Sequence, residues 1–258
     1  MKSLIIHADD FGLTPEVSRG ILDACSKGIA TSTSIMVNTP YLDEVLPSAR
    51  SHPDLDFGIH VNLTHGSPLS PPDRIPSLVN KDGRFFGGPR KFLEDLSALR
   101  IEDIETEARA QLELGLSLGL AISHLDSHHH VHRNPYVLTV LTGLAKRYGL
   151  ALRSLDSQMR RRLTLAGVRT PLGFSAEFFG EENLRLVVFR RILKSFPSGI
   201  SEFCCHPGYS DKLLSEVSSY SDERQLELTL LTGKETAQLV RDLRCKLVDF
   251  RVLQGVGV

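Results

Sequence analysis

The stretch "SLIIHADDFGLTPEVSRGILDACSKG" (residues 3–28) contains one complete strand–helix unit. Its start, "SLIIHA" (3–8), is a short apolar run that is typical of a buried strand. Thr14 can cap a helix, Pro15 suits the first helical position, and Gly28 follows the last helical turn. Apolar side chains recur between them at helical spacing: Val17, Ile21, Ala24 and Cys25. The stretch therefore predicts a strand followed by an amphipathic helix.

The same alternation of strand and helix continues along the chain. Further strands are predicted over 33–37, 55–61, 121–126, 150–155, 201–205 and 246–253. Helices are predicted over 41–51, about 102–118, 135–149, near 181–196 and near 222–242. Strands that alternate with helices imply βαβ units and a mainly parallel sheet. We expect a single α/β domain over residues 1–258, with loop insertions near 64–90 and 156–180 that cover a site.

The composition excludes several classes of function. A formal net charge of −1 over 258 residues leaves no basic surface for nucleic acid or anionic lipid. No stretch approaches the roughly 18 consecutive apolar residues of a membrane span. The four cysteines show neither a CxxC pair nor a disulfide framework, which predicts reduced thiols and a cytoplasmic protein. We therefore expect no nucleic acid and no membrane span.

Polar side chains gather where the predicted strands end. They are Asp9 and Asp10 after the first strand, His60 late in 55–61, the segment 124–132, Arg153, and His206 after 201–205. Taken singly they have simpler explanations, because adjacent aspartates often cap a helix and a lone histidine is more often part of the core. Adjacent strand residues face opposite ways, so one aspartate of the pair is expected to point into a site. The carboxyl ends of parallel strands lie on one face, so the convergence of five segments predicts one site there.

The segment "HLDSHHHVH" (124–132) concentrates candidate metal ligands. If it is extended, five polar side chains of the same parity share one face: His124, Asp126, His128, His130 and His132. They cannot all bind one ion, so one or two are expected as ligands and the others as supporting groups or substrate contacts. Two imidazoles and a carboxylate suit Zn, Fe, Co, Ni or Mn and leave positions open for water and substrate. The residues alone leave open which histidine binds the ion, and a solvent-exposed histidine tract is the alternative reading.

Four blocks of sequence together resemble a known family. The blocks are "HADDFGLT" (7–14), "FGIHVNLT" (57–64), "SHLDSHHHVHRNP" (123–135) and "CCHPGY" (204–209). In this order and spacing they are similar to the YdjC-like carbohydrate deacetylases, the family that includes chitooligosaccharide deacetylase, and the likeness runs from residue 3 to residue 253. The resemblance implies a single distorted (β/α) barrel of TIM-like type, related to the polysaccharide deacetylases. It also implies a homo-oligomer, expected to be a dimer.

The resemblance also implies roles for individual residues. It implies Asp10, His60 and His128 as ligands of one divalent metal ion, with zinc or magnesium expected. Asp9 matches the position of the general base and His206 that of the acid for the leaving group, while Arg153 would orient Asp9. The remaining polar residues of the histidine-rich segment would support the ligands or contact substrate: His124, Asp126, His130 and His132. Which aspartate is base and which is ligand rests on the resemblance, since the residues themselves do not decide it.

These features together predict a metal-dependent hydrolase. It would remove the N-acetyl group from an N-acetylated amino sugar, a chitooligosaccharide or a related glycan or glycolipid, and release acetate. One alternative is an enzyme of another class with the same metal ligands, such as a hydrolase of phosphate esters or an Fe(II) oxygenase. The other alternative is a non-catalytic relative that binds sugar or metal. The absence of a basic cluster near the motifs counts against a phosphate substrate.

Overall fold

A computed structural model describes residues 1–94 and 99–254 of the chain. The predicted domain, 1–258, also includes residues 95–98 and 255–258, which lie outside the described part. The strands are β1 (Lys2–Phe11), β2 (Ser32–Ile35), β3 (Asp56–Val61), β4 (Ile122–Ser127), β5 (Ala151–Leu152), β6 (Gly173–Ser175), β7 (Gly199–Cys205) and β8 (Cys245–Leu247). The helices are α1 (Pro15–Ser26), α2 (Leu42–Arg50), α3 (Arg90–Glu94), α4 (Ile101–Ser117), α5 (Pro135–Tyr148), α6 (Ser157–Leu165), α7 (Leu186–Ser195), α8 (Lys212–Val217), α9 (Asp222–Leu231) and α10 (Lys234–Asp242). The chain is therefore an α/β protein in which strands and helices alternate.

The strands form one curled parallel sheet in the order β5-β4-β3-β2-β1-β7-β6. Strand β1 is the longest of these strands, and along one of its edges it pairs with two different strands. Residues Lys2 to Leu4 pair with β8, whereas residues from His7 onward pair with β2, and the other edge pairs with β7. Among the described residues no pairing joins β5 to β6, so the barrel is incomplete between them. This confirms the expected distorted (β/α) barrel.

Local capping explains why the helices begin and end where the sequence predicts. The Oγ1 atom of Thr14 accepts a hydrogen bond from the backbone N–H of Val17 at 3.1 Å, which starts α1. Helix α5 begins in the same way at Asn134, and it ends at Gly149, whose φ of 69° is unfavourable for other residues. These contacts hold the loops between strand ends and helix starts, where the polar residues lie.

Part of the expected organisation is wrong. The segment 156–180 is not an irregular loop insertion, because it contains α6 and β6. Helix α6 buries only Met159 and Leu163, and the arginines between them weaken the apolar pattern that identifies a helix. The helix expected near 222–242 is two helices separated at Thr232 and Gly233. The last expected strand ends at Leu247 and is followed by a short 3₁₀ turn over Phe250–Leu253.

The two faces of the curled sheet differ in polarity. Leu4, Ile6 and Ala8 of β1 belong to the large apolar core that packs against the helices. The residues between them, Ile5 and His7, face the other way, where Ile5 packs with Phe250 in a small apolar cluster. Above that cluster the inner side is polar and holds fully buried histidine, carboxylate and arginine side chains. Among the described helices none is long and apolar enough to cross a membrane.

Candidate active site

A β-bulge at the end of β1 brings both aspartates of "HADDFG" to the same cavity. Between Ala8 and Phe11 the pairing with β2 shifts by one residue, and Asp10 has a φ of 75°. A regular strand would turn adjacent side chains to opposite faces, but a bulge redirects one of them. Asp9 and Asp10 therefore both line the cavity, whereas alternation predicted that only one would. The left-handed backbone at Asp10 is strain of a kind that is common at functional sites.

Asp10, His60 and His128 come together at the base of this cavity. The Oδ1 atom of Asp10 lies 3.1 Å from His60 Nε2 and 2.9 Å from His128 Nδ1. One ligand atom from each residue lies within 4.8 Å of the others. Burial by itself would raise the pKa of Asp10, but His128 and Arg224 outweigh it and hold the pKa well below its usual range. An ionised carboxylate and two imidazoles are thus available on one side of the cavity.

The second nitrogen of His60 is held from behind by Asp126. His60 Nδ1 lies 2.8 Å from Asp126 Oδ1 and 3.0 Å from the hydroxyl of Ser34. Burial alone would lower the pKa of His60, but the carboxylates of Asp126 and Asp9 raise it to about 10. The surroundings of His60 therefore favour a positive charge. A carboxylate that orients the far nitrogen of a histidine is also the usual support of a metal-binding imidazole.

The charge balance of the cluster fits a divalent cation. Its buried carboxylates outnumber its buried guanidinium groups. The carboxylates belong to Asp9, Asp10, Asp126 and Glu202. The guanidinium groups belong to Arg153 and Arg224.

A second possible ligand set, made of His7, His124 and Asp126, is completely buried and does not line the cavity. Two more sets, Asp9 with Cys204 and His206 and Asp9 with His60 and Asp126, each include one residue that does not line the cavity. The Asp10, His60 and His128 set is the better candidate because all three of its residues line the cavity.

Arg153 makes a two-pronged ion pair with Asp9. Its Nη1 and Nη2 atoms donate to the two carboxylate oxygens of Asp9 at 2.9 and 2.7 Å. The same completely buried guanidinium contacts Glu202 at 2.7 Å and Asp126 at 3.0 Å. Burial would raise the pKa of Asp9, but Arg153 outweighs it and lowers the pKa, so Asp9 stays ionised. The bidentate contact also fixes the orientation of this carboxylate.

The imidazole of His206 lies near the carboxylate of Asp9. Its Nε2 atom is 3.8 Å from Asp9 Oδ2, and its backbone N–H donates to Glu227 Oε2 at 2.6 Å. Its buried Nδ1 atom has no hydrogen-bond partner in the described part of the chain. Burial lowers the pKa of His206 to about 4, although Asp9 opposes the shift. The imidazole is therefore neutral near pH 7 in the free protein.

The histidine-rich segment does not continue as an extended strand. Strand β4 ends at Ser127, and the chain then turns, with His129 and His130 at φ values of 56° and 51°. The predicted alternation of faces therefore fails beyond residue 127. Alternation placed His129 on the opposite face from His128. In the structure His129 also lines the cavity, and its Nδ1 atom forms a hydrogen bond of 2.8 Å with the hydroxyl of Thr64.

The other members of the segment divide between the cavity and the interior. His130 lines the cavity. His124 is completely buried below the site, where it stacks on Phe250 with ring centroids 3.8 Å apart. His132 is also completely buried and lies 2.6 Å from the hydroxyl of Ser127. His124 and His132 are therefore part of the protein interior, and a substrate in the cavity cannot contact them.

Sequence reasoning missed Arg224, which is the second cation of the site. From α9 its Nη2 atom donates to Asp10 Oδ2 at 2.6 Å. Asp10 is therefore held through one oxygen by Arg224 while its other oxygen faces the two imidazoles. No local signal marks Arg224, because it is one of several charged residues in a polar helix. The missed residues that line the cavity also include His65 and Tyr220.

The cavity has a volume of about 680 Å³, which lies within the range of small-molecule sites. Its lining comes from the carboxyl ends of β1 and β3, the loop after β3, the turn after β4 and the loop after β6. The residue after β7 and the segment from the end of α8 into α9 complete it. The lining residues are Asp9, Asp10, Leu13, His60, His65, Gly87, Gly88, Pro89, His128, His129, His130, Ala176, Phe179, His206, Val217, Ser218, Ser219, Tyr220 and Arg224. Enzymes built on parallel α/β barrels have their active sites at the carboxyl ends of the strands. This cavity lies at the same position, so the fold and the site together are those of an enzyme of this class.

The chain belongs to the YdjC-like protein family, whose family model matches residues 3–242. The family expected from the four sequence blocks is thereby confirmed. A protein of Thermoanaerobacter pseudethanolicus named carbohydrate deacetylase is 36% identical over 98% of this chain and 100% of its own length. A carbohydrate deacetylase of Geobacillus stearothermophilus is 38% identical over 96% of each chain. A crystal structure from Enterococcus faecalis V583, of a protein described as a cellobiose-phosphate cleavage protein, has a TM-score of 0.89 at 32% identity and covers 98% of each chain.

Proposed function

We propose that this protein is a metal-dependent N-deacetylase that removes the acetyl group from an N-acetylated amino sugar. The observation that carries the proposal is that three groups meet at one cavity. They are the Asp10, His60 and His128 trio, Asp9 with Arg153 buried behind it, and His206. The relatives that carry the name carbohydrate deacetylase align with nearly the whole chain, so the substrate class is extended to this chain from them.

Asp10, His60 and His128 would hold one divalent ion, with zinc or magnesium as the candidates. Two imidazoles favour zinc, because magnesium prefers a shell of oxygen ligands. When bound, such an ion polarises the acetamide carbonyl and lowers the pKa of water at the site. Asp126 and Arg224 hold His60 and Asp10 in place, so the ligands are already oriented.

The catalytic protons would pass through Asp9 and His206. Asp9 is ionised and can accept a proton from the attacking water. His206 is neutral in the free protein, so it must gain a proton before it can protonate the leaving amine. The 3.8 Å between Asp9 Oδ2 and His206 Nε2 makes the proton that Asp9 removes from water the nearest source. The products are then acetate and a free amino sugar.

We also propose that the protein is a single deacetylase domain, is cytoplasmic and forms a homodimer. The cysteines in the structure are free, and two of them are buried, as suits a reducing compartment. The dimer is an extension from the family resemblance. Light scattering after size-exclusion chromatography measures it directly, and a monomeric mass at micromolar concentration contradicts it.

Acetate release from N-acetylglucosamine oligomers tests the proposed activity. The purified protein is assayed as isolated, after chelation, and after zinc or magnesium is added back. We expect release that chelation abolishes and one of the two ions restores. A protein that binds either ion but releases no acetate from any of these oligomers or from an acetylated glycolipid contradicts the proposal.

A further inference from the structure

An exposed aromatic ring forms one wall of the cavity. Phe179 follows β6 and lines the cavity, yet 47% of its side chain is exposed. The ring of Tyr220 stacks against it with centroids 4.1 Å apart and an angle of 12° between the planes. Because Tyr220 covers one face of the Phe179 ring, the exposed area lies on the other face and on the edge of the ring. We call Phe179 and Tyr220 the aromatic wall.

The aromatic wall is held in a fixed position relative to His206. The hydroxyl of Tyr220 donates to Glu227 Oε1 at 2.6 Å, and the other oxygen of the same carboxyl group accepts from the backbone of His206. The ring of Phe179 also meets the imidazole of His206 edge-on, with centroids 5.6 Å apart and 76° between the planes. A ligand that packs on Phe179 is therefore placed beside the imidazole that is proposed to protonate the amine.

The other phenylalanines of residues 64–90 and 156–180 do not compete for this role. Phe85 and Phe178 are buried in the apolar core. Phe86 is exposed, but the ammonium group of Lys91 lies over its ring, and Phe86 does not line the cavity. Phe174 contacts the ring of His130 and lies near the guanidinium group of Arg153, and it does not line the cavity. Phe179 is thus the phenylalanine of these segments that lines the cavity.

We propose that the open face of Phe179 binds the apolar face of a pyranose ring of the substrate, with Tyr220 as its rigid backing. This assignment rests on the proposed deacetylase function and names a residue that recognises the sugar. The C–H groups on one face of a pyranose suit an aromatic surface, while Ser219, which also lines the cavity, offers a polar partner for a hydroxyl group. The wall binds sugar and takes no part in proton transfer.

Steady-state kinetics with N,N′-diacetylchitobiose provide the first test. Phe179→Ala should raise KM roughly tenfold, equivalent to about 1.4 kcal/mol, with a much smaller fall in kcat, because stacking contributes equally to the bound substrate and the transition state. Phe179→Trp should restore KM. Tyr136→Ala is the matched control, since Tyr136 is 40% exposed on α5 and does not line the cavity. An unchanged KM in Phe179→Ala, or an equal rise in Tyr136→Ala, overturns the proposal.

Fluorescence provides a second test that does not depend on activity. The natural chain contains no tryptophan, so Phe179→Trp introduces a single reporter, and Tyr136→Trp introduces a single reporter elsewhere. Titration with N,N′-diacetylchitobiose should change the emission of the first variant saturably and leave the second unchanged. No change in Phe179→Trp up to the solubility limit of the sugar overturns the aromatic wall. A saturable change in a protein that releases no acetate supports the wall and contradicts the deacetylase function, so the two failures are distinguishable.

Discussion

Replacing Asp126 by Asn should weaken metal binding without removing any proposed ligand. A carboxylate can only accept hydrogen bonds, so Asp126 requires the proton of His60 to sit on Nδ1, 2.8 Å away. With that proton on Nδ1, the nitrogen that can give up its proton to an ion is Nε2, which lies 3.1 Å from Asp10 Oδ1. An amide can donate as well as accept, so it permits the other tautomer, whose Nε2 carries the proton and cannot bind an ion. Loss of such a supporting group costs metal affinity about 10–100-fold, or about 1.4–2.7 kcal/mol.

The affinity is measured by competition for zinc against a chromophoric chelator, and the acetate assay is repeated at saturating zinc. Asp103→Asn is the matched control, because Asp103 on α4 is also a buried carboxylate and accepts from the backbone of Ser77 at 2.9 Å, outside the cluster. Asp103→Asn should lose about 1 kcal/mol of unfolding free energy. Asp126→Asn should lose more, about 3–5 kcal/mol, because it also breaks the buried ion pair with Arg153. Only Asp126→Asn should lose zinc affinity. Equal zinc affinity in wild type and Asp126→Asn would refute the reasoning about the tautomer.

Three further predictions concern the base, a buried acid and the packing below the site. Asp9→Asn should keep one bound ion per chain while kcat for acetate release falls about 10²–10⁴-fold, and full activity would remove the base assignment. Burial raises the pKa of Glu227 from 4.5 to about 8, so the folded chain holds the proton of this carboxyl group more tightly than the unfolded chain does. The stability that this proton contributes is therefore lost as the pH rises from about 4.5 to 8. Urea unfolding across that range should therefore show a smaller decline for Glu227→Gln than for wild type, and parallel declines would contradict the assignment. A Cβ atom at Gly58 would collide with the imidazole of His124, which is buried against Phe250, so Gly58→Ala should cost about 1–3 kcal/mol in urea unfolding. Gly143→Ala, on α5 with no atom near its Cβ position, should be neutral or stabilise by up to about 1 kcal/mol, and equal effects at the two glycines would refute the collision.

The sequence predicted well those features that depend on neighbours along the chain. Thr14 and Asn134 cap their helices through atoms two or three residues away, so the helix starts could be read from residue types. The histidine-rich segment shows where such reading stops. Its alternation predicted one shared face, but the left-handed residues His129 and His130 turn the chain after β4. No residue type in that run requires the turn, so periodicity alone could not locate it.

Helix α6 was missed for a related reason. Its apolar side is only as wide as Met159 and Leu163, and three arginines between them give the segment the composition of a loop. The helix forms because Asp156 caps it and because those two side chains find a core to enter. A narrow apolar stripe is stabilised by tertiary packing and leaves only a weak local pattern.

By itself the sequence determined that the chain is an α/β protein whose carboxylates and histidines lie at strand ends, because strand periodicity and helix capping act over a few residues. Only the tertiary structure decided which of these groups touch. Asp10 contacts His128, 118 positions away, and Arg224, 214 positions away, and both contacts depend on how the sheet curls and where α9 packs. The bulge that turns Asp9 and Asp10 into one cavity arises likewise from the pairing of β1 with β2. Separations of this size are closed by the fold as a whole, so no local pattern could specify them.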